Sequence, residues 1–260
     1  MAGALEGFRI LDATQIVSGP MATRILADQG ADVIKIEPPS GDLVRHMGGP
    51  PDLSPTFVTV NRSKRSVVLD LKNEDALNAL YRMVAQADVF VQNQRPGAAE
   101  RMGFGAEKLC ALNSRLIYVS ISGFGHTGPF SHKRVYDPLI QGMSTLTEIQ
   151  GGYGKRPRLV RVIVPDKVTA LTAAQAITAA LLARERTGEG QHVRLSMLDA
   201  VLAFLWSSDM GGQTFVDNPV SAQRAASFID LIYATEDGYI SVAVMSDREW
   251  RALTTALERP

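Results

Sequence analysis

A strand, a helix and a second strand fit within the first 37 residues: RILDA at 9–13, a helix-patterned segment at 21–29 and DVIKIE at 32–37. Strands joined by a helix in so short a span run parallel, and their crossover is right-handed. Pro20 sits near the start of that helix and Gly30 is placed to end it. The alternation then repeats. SVVLDL at 66–71 reads as a strand, Asn73 caps a helix whose Leu77, Leu80 and Val84 share a face, and DVFVQ at 88–92 reads as the next strand. A shorter helix at 106–112 leads to an apolar strand at 116–121. The pattern specifies an α/β fold with a Rossmann-like, mainly parallel sheet. In such sheets ligands bind beyond the carboxyl ends of the strands. The loops at 14–20, 93–97 and 123–129 all follow strands and are expected to share one site.

The longest periodic segment lies at 161–200. Its VIVP run at 162–165 reads as a strand that delivers Asp166 to the start of an alanine-rich helix. Val168, Leu171, Ala174, Ile177 and Leu181 are expected to line its buried face, before a TGEGQ turn at 187–191 and a short strand. An acid at that junction has two readings. It can cap the helix by accepting a backbone N–H, or it can be a covalent nucleophile kept ionised by the helix dipole. Position alone favours the cap, because nearly every helix needs one.

Composition removes several classes. Lysines plus arginines number 27 against 27 acids, with no block of like charge, so binding to nucleic acid or to a polybasic-seeking membrane has no support. Cys110 is the single cysteine and reads as a small buried apolar residue. No leader peptide and no apolar run long enough for a membrane span are visible, which points to the cytoplasm. The histidines lack metal-ligand spacing, and GxSxG, GxGxxG and GxxxxGK[ST] are all missing. Glu37 ends a strand where a ribose-binding acid would lie, but Pro38 follows it. A nucleotide-cofactor oxidoreductase is therefore a weakly supported alternative. His126, in a glycine-rich loop, reads as a surface group before an acid or base.

The texture changes near residue 210. An apolar helix at 201–210 carries Trp206 and stops at Gly211 and Gly212. Strands at 231–234 and 239–244 flank an Asp-Gly hairpin, and Asp247 is placed to cap a last helix. Residues 1–210 are expected to form a large domain, and 211–260 the start of a smaller, incomplete α/β domain.

Several motifs occur together in one order: Ile10-Leu11-Asp12 with Gly19-Pro20, ADQGADVIKIE at 27–37, NRSKRS at 61–66, LDLK at 69–72, Asn93 followed by RMGF at 101–104, and TGEGQ at 187–191. In this combination the chain resembles the class III CoA-transferases, the family of formyl-CoA transferase, carnitine CoA-transferase and the α-methylacyl-CoA racemases. The resemblance runs from Leu5 to the Asp-Gly hairpin. It implies that Asp166 is the nucleophile, moving CoA from an acyl-CoA to a carboxylic acid through aspartyl anhydride and aspartyl-CoA thioester intermediates. It also implies no tightly bound cofactor beyond CoA as substrate, and an interlinked homodimer. The CoA contacts it implies are Val17, Ser18, Leu69, Asp70, Leu71, Lys72, Asn93, Gln94, Arg95, Arg101, Arg134, Val135, Tyr136 and Asp137. Lys72, Arg95, Arg101 and Arg134 suit a phosphate-rich ligand.

The chain departs from the family pattern in places. Pro38 stands where some relatives carry a basic residue, and Ala170 where many have Gly. Tyr136 stands where the racemases have a catalytic His, which favours transfer and leaves a 2-methylacyl-CoA racemase as the alternative. The small domain of the family pattern is not completed, so an inert, truncated member is a third reading.

Overall fold

The computed structural model describes residues 3–48, 53–151, 156–214, 216 and 231–259. Residues 49–52 of the Pro/Gly-rich loop after the second strand lie outside that set, as do 217–230 of the expected small domain. Six parallel strands form the main sheet: β1 (Arg9–Ala13), β2 (Asp32–Glu37), β3 (Arg65–Val68), β4 (Val89–Gln92), β5 (Ile117–Ser122) and β6 (Gln191–Ser196). Their order is β3-β2-β1-β4-β5-β6. The order reverses between β1 and β4, where a doubly wound sheet opens its ligand crevice.

The sheet is covered on both faces, so successive residues of a strand enter different cores. Ile10, Val89, Val91, Ile117 and Val119 face one core; Leu11, Phe90 and Tyr118 face the other. The first core is closed by α1 (Ser18–Asp28), α6 (Asp137–Met143), α8 (Val164–Thr187) and α9 (Met197–Trp206). The second is closed by α3 (Glu74–Val84) and α5 (Ala106–Leu112). Shorter helices α2 (Pro55–Asn61), α4 (Ala98–Arg101) and α7 (Leu146–Gly151) sit in the connections.

Several expectations change. α1 begins at Ser18 rather than 21, because Gly19 and Pro20 occupy its first turn, where proline's missing N–H costs nothing. β3 ends at Val68, so residues 69–72 form a loop past the strand end. No strand forms at 162–165. α8 starts at Val164 with Pro165 in its first turn, and the free side of β5 is already paired by β6.

The buried face of α8 also differs from the expected one. It runs through Thr169, Ala170, Ala173, Ala174, Ile177, Ala180 and Leu181, while Leu171 is 57% exposed. Repeated steps of three drift off a 3.6-residue helix face, so Leu171 and Ile177 point different ways. At its far end, Gly188 (φ +80°) ends α8 and buried Arg184 reaches Asp88 at 2.9 Å.

Beyond α9, β7 (Ile232–Ala234) and β8 (Tyr239–Ser241) pair antiparallel, with the Thr235 N–H donating to Gly238 across the turn. α10 (Asp247–Ala256) is capped by the Ser246 hydroxyl, one residue before the expected Asp247. No residue of these three elements is buried. Among the described residues no helix is long and apolar enough to cross a membrane.

Candidate active site

The loop after β1 is held by buried side chains from every neighbour. The Thr14 N–H and hydroxyl donate to the Asp12 carboxylate. The Thr14 carbonyl accepts from Lys35 Nζ at 2.7 Å. Gln15 is gripped at both its N–H and carbonyl by the Asn93 amide, at 2.9 and 2.8 Å. The Ile16 N–H donates to Asp42 Oδ1 at 3.2 Å, while Asp42 Oδ2 pairs with Lys35 at 2.9 Å. Ile16 adopts φ +74°, a conformation costly for a β-branched residue. These bonds force the chain through that turn so that Ser18 opens α1 directly beneath it.

Two buried ion pairs supply the forces. Lys64 Nζ lies 2.8 Å from Asp12 Oδ2, and both side chains are almost fully buried, like the Lys35–Asp42 pair. Burial opposes ionisation of Asp12. The charges of Lys64 and Lys35, with hydrogen bonds from Lys64 and Thr14, outweigh it and hold the carboxyl well below the usual range.

Asp166 stands where α8 meets α1. It is the third residue of α8, and the N-cap position belongs to Ile163, which makes no side-chain capping bond. The cap of α1 is Val17, which has no side-chain acceptor either. The first-turn donors of α1 therefore need an outside partner. The hydroxyl and N–H of Ser18, the first residue of α1, lie near the Asp166 carboxylate and favour its charged form.

That influence does not decide its ionisation. Burial and the nearby charge of Asp137 raise the Asp166 carboxyl to about 6, against a normal 3.8, in spite of Ser18. Asp137 is buried at the start of α6; its Oδ2 accepts the Asp166 N–H at 3.2 Å and its Oδ1 accepts from Gln141 Nε2 at 2.7 Å.

A groove lies past the ends of β1, β2 and β4. Leu69, Asp70, Leu71, Lys72 and Gln94 line it together with Gln15, Pro38, Met102 and Phe104. Of the residues expected at a CoA site, these five are gathered in one place. Lys72, Arg95, Arg101 and Arg134 are exposed and make no ion pair among the described residues. Tyr136 is 64% exposed beside buried Asp137.

Other expected contacts are engaged inside the protein. Val17 is buried, Asn93 is committed to Gln15, and Val135 packs on Gly123, whose missing Cβ would lie 2.0 Å from Val135 Cγ1. The carboxylate of Asp137 is taken up by Asp166 and Gln141 instead of facing the groove.

The His126 ring meets that of His192 edge-on at 6.2 Å, and burial, Arg194 and His126 together push His192 down to about 4. His132 is exposed. Among the described residues no group of three or more His, Cys, Asp or Glu could hold a metal ion.

The CoA-transferase family III model matches residues 5–260. The chain is 36% identical over 97% of its length to a succinate–glutarate CoA-transferase of Agrobacterium fabrum, of which it covers 66%. It is 44% identical over 78% of its length to an acetyl-CoA:oxalate CoA-transferase of Acetobacter aceti, covering 53% of that protein. The chain thus spans between about half and two thirds of these relatives. Among solved structures, a CAIB/BAIF family protein from Brucella suis superposes with a TM-score of 0.88 at 33% identity, over 99% of this chain and 70% of that one. Rv3272 from Mycobacterium tuberculosis gives 0.86 at 32% identity, over 100% of this chain and 70% of its own. A matching family model over nearly the whole chain, with the same fold in a CAIB/BAIF family protein, shows that the chain belongs to CoA-transferase family III.

Proposed function

We propose that this chain carries the nucleophilic half-site of a CoA-transferase, with Asp166 as the residue that takes the acyl group and then CoA. The observation that carries the reading is the environment of its carboxylate. A carboxylate kept only as a cap gains from ionisation, whereas burial and Asp137 make ionisation of Asp166 costly. A fold keeps such a group where its reactivity is used.

The chemistry follows in balanced steps. An Asp166 oxygen attacks the thioester carbonyl of the donor, the C–S bond breaks, and a mixed anhydride and CoA thiolate result. The thiolate attacks the Asp166 carbonyl of the anhydride, releasing the donor acid and leaving an aspartyl-CoA thioester. The acceptor carboxylate attacks that thioester, expelling CoA thiolate and forming a second anhydride. Thiolate attack on the acceptor's carbonyl then yields the new acyl-CoA and frees Asp166. Each step exchanges one activated carbonyl for another, so exclusion of water decides the yield. Ser18, at the head of α1, sets its hydroxyl and N–H against the Asp166 carboxylate, where they favour the ionised form that attacks.

The groove formed by Leu69, Asp70, Leu71, Lys72 and Gln94 would receive part of CoA, and Lys72, Arg95, Arg101 and Arg134 would meet its phosphates. Succinate, glutarate and oxalate appear in the names of the relatives, so small dicarboxylic acids are the first acceptors to try. We assign residues 1–210 to the CoA-binding domain and 211–260 to a second unit. A homodimer would cover Leu171, Leu182, Phe204 and Trp206, which the chain leaves exposed; a monomer in sedimentation velocity would contradict it. The functional test is Asp166→Ala, assayed with succinyl-CoA and a panel of dicarboxylic acids. Transfer should vanish while CoA binding, read by calorimetry, is kept. Normal turnover by the variant would refute the assignment.

A further inference from the structure

Asp137 is 4% exposed, and no lysine or arginine pairs with it among the described residues. A buried carboxylate without a cation is a costly arrangement. Its two oxygens hold neutral donors, the Asp166 N–H and Gln141 Nε2. Gln141, itself 2% exposed, continues the grip: its Oε1 accepts the Val160 N–H at 2.9 Å and its Nε2 also lies 3.3 Å from the Val160 carbonyl. One turn of α6 thus clamps the chain both before and at its entry into α8. Asn or Ser in place of Asp137 could accept the same N–H without carrying a charge.

We propose that Asp137, with Gln141, is a positioning residue for Asp166: it fixes the backbone of the nucleophile and places a second, buried negative charge beside its carboxylate. The charge makes the Asp166 oxygen more basic, hence a stronger nucleophile toward a thioester. Gln141 keeps the two carboxylates from separating, since it ties α6 to the segment that leads into Asp166. This inference rests on Asp166 being the nucleophile.

The surroundings of Asp166 allow the test to be read cleanly. The elements packed on α8 bring Arg24 and Asp28 on α1, Asp137 on α6, Asp199 on α9 and His192 and Arg194 on β6, while Lys167 follows Asp166 on α8 itself. Of these charges, Asp137 is the one that acts on Asp166.

The experiment measures kcat/KM for an acyl-CoA against pH with the whole chain, in wild type, Asp137→Asn and Asp137→Ser. In parallel, infrared difference spectra against Asp166→Asn follow the Asp166 carboxyl directly, without turnover. In wild type the acid limb should fall near pH 6. In either Asp137 variant the limb and the infrared titration should both move to lower pH. The plateau rate should fall several-fold, with KM for the acyl-CoA little changed. Gln141→Leu, which loosens Asp137 from the segment leading into Asp166, should lower the plateau and move the acid limb in the same direction by a smaller amount. An unmoved Asp166 titration in whichever Asp137 variant folds would overturn the inference. If Asp166→Ala is inactive in that case, only the role of Asp137 fails; if Asp166→Ala still turns over, the nucleophile reading fails first.

Discussion

Asp166→Asn removes the ionisable group and keeps the side chain's shape and its ability to accept from Ser18. The folded-state carboxyl titrates at about 6 and the unfolded one at 3.8. The group is half-buried, so the shift converts to free energy as an upper figure. Because the folded state holds its proton more tightly, the wild type is penalised where Asp166 must ionise. The penalty is absent well below pH 4, grows between the two values and levels off above pH 6. Its size is about 3 kcal/mol at pH 7 and roughly 0.5 kcal/mol at pH 4, at about 1.4 kcal/mol per unit. Asp166→Asn should therefore be inactive and more stable than wild type at pH 7, with most of that gain gone at pH 4. Urea unfolding of both proteins at the two pH values reads this directly. An Asn variant that is less stable at pH 7, or whose gain does not change with pH, would show that the carboxylate is a favourable cap and nothing more.

Two further outcomes follow from the buried loop. Lys64→Met leaves Asp12 buried beside one fewer cation, and breaking such a pair costs about 3–5 kcal/mol; unfolding midpoints check this, and the loss should shrink in strong acid as Asp12 takes up a proton. Gly19→Ala puts a Cβ 2.4 Å from Thr14 Cβ, so Thr14 must move and release Asp12; the expected loss is on the order of 1–3 kcal/mol, together with weaker CoA binding by calorimetry.

Much of the sheet was legible because strands buried on both faces write their period into the sequence. RILDA and DVIKIE match β1 and β2 residue for residue, and 106–112 matches α5. The VIVP run misled because β-branched residues favour strands in isolation, whereas Pro165 is at home in a first helical turn and β6 takes the place beside β5. The capping expectation for Asp166 was half right: the acid meets a helix N-terminus, but that of α1, some 150 residues earlier in the chain. Contacts of that kind leave no local trace.

The same holds for Lys35–Asp42 and Lys64–Asp12, whose residue types read as surface charges and whose partners are known only once the sheet is folded. Gln141 did leave a signal, standing four residues after Asp137 where helix side chains meet. Gln94 lies in one of the loops singled out by the rule that ligands lie past strand ends, residues 69–72 entered only through the family resemblance, and the hydrogen bonds of Asn93 and Asp137 left no local trace.

The transfer mechanism turns on a covalent Asp166. Incubating the chain with succinyl-CoA and a carboxylic acid, quenching with hydroxylamine and mapping peptides by mass spectrometry tests it most directly. A hydroxamate is expected on the peptide that contains Asp166, at that residue, and none in Asp166→Asn. Transfer of CoA with that peptide unmodified, or a hydroxamate on another carboxylate, would contradict it.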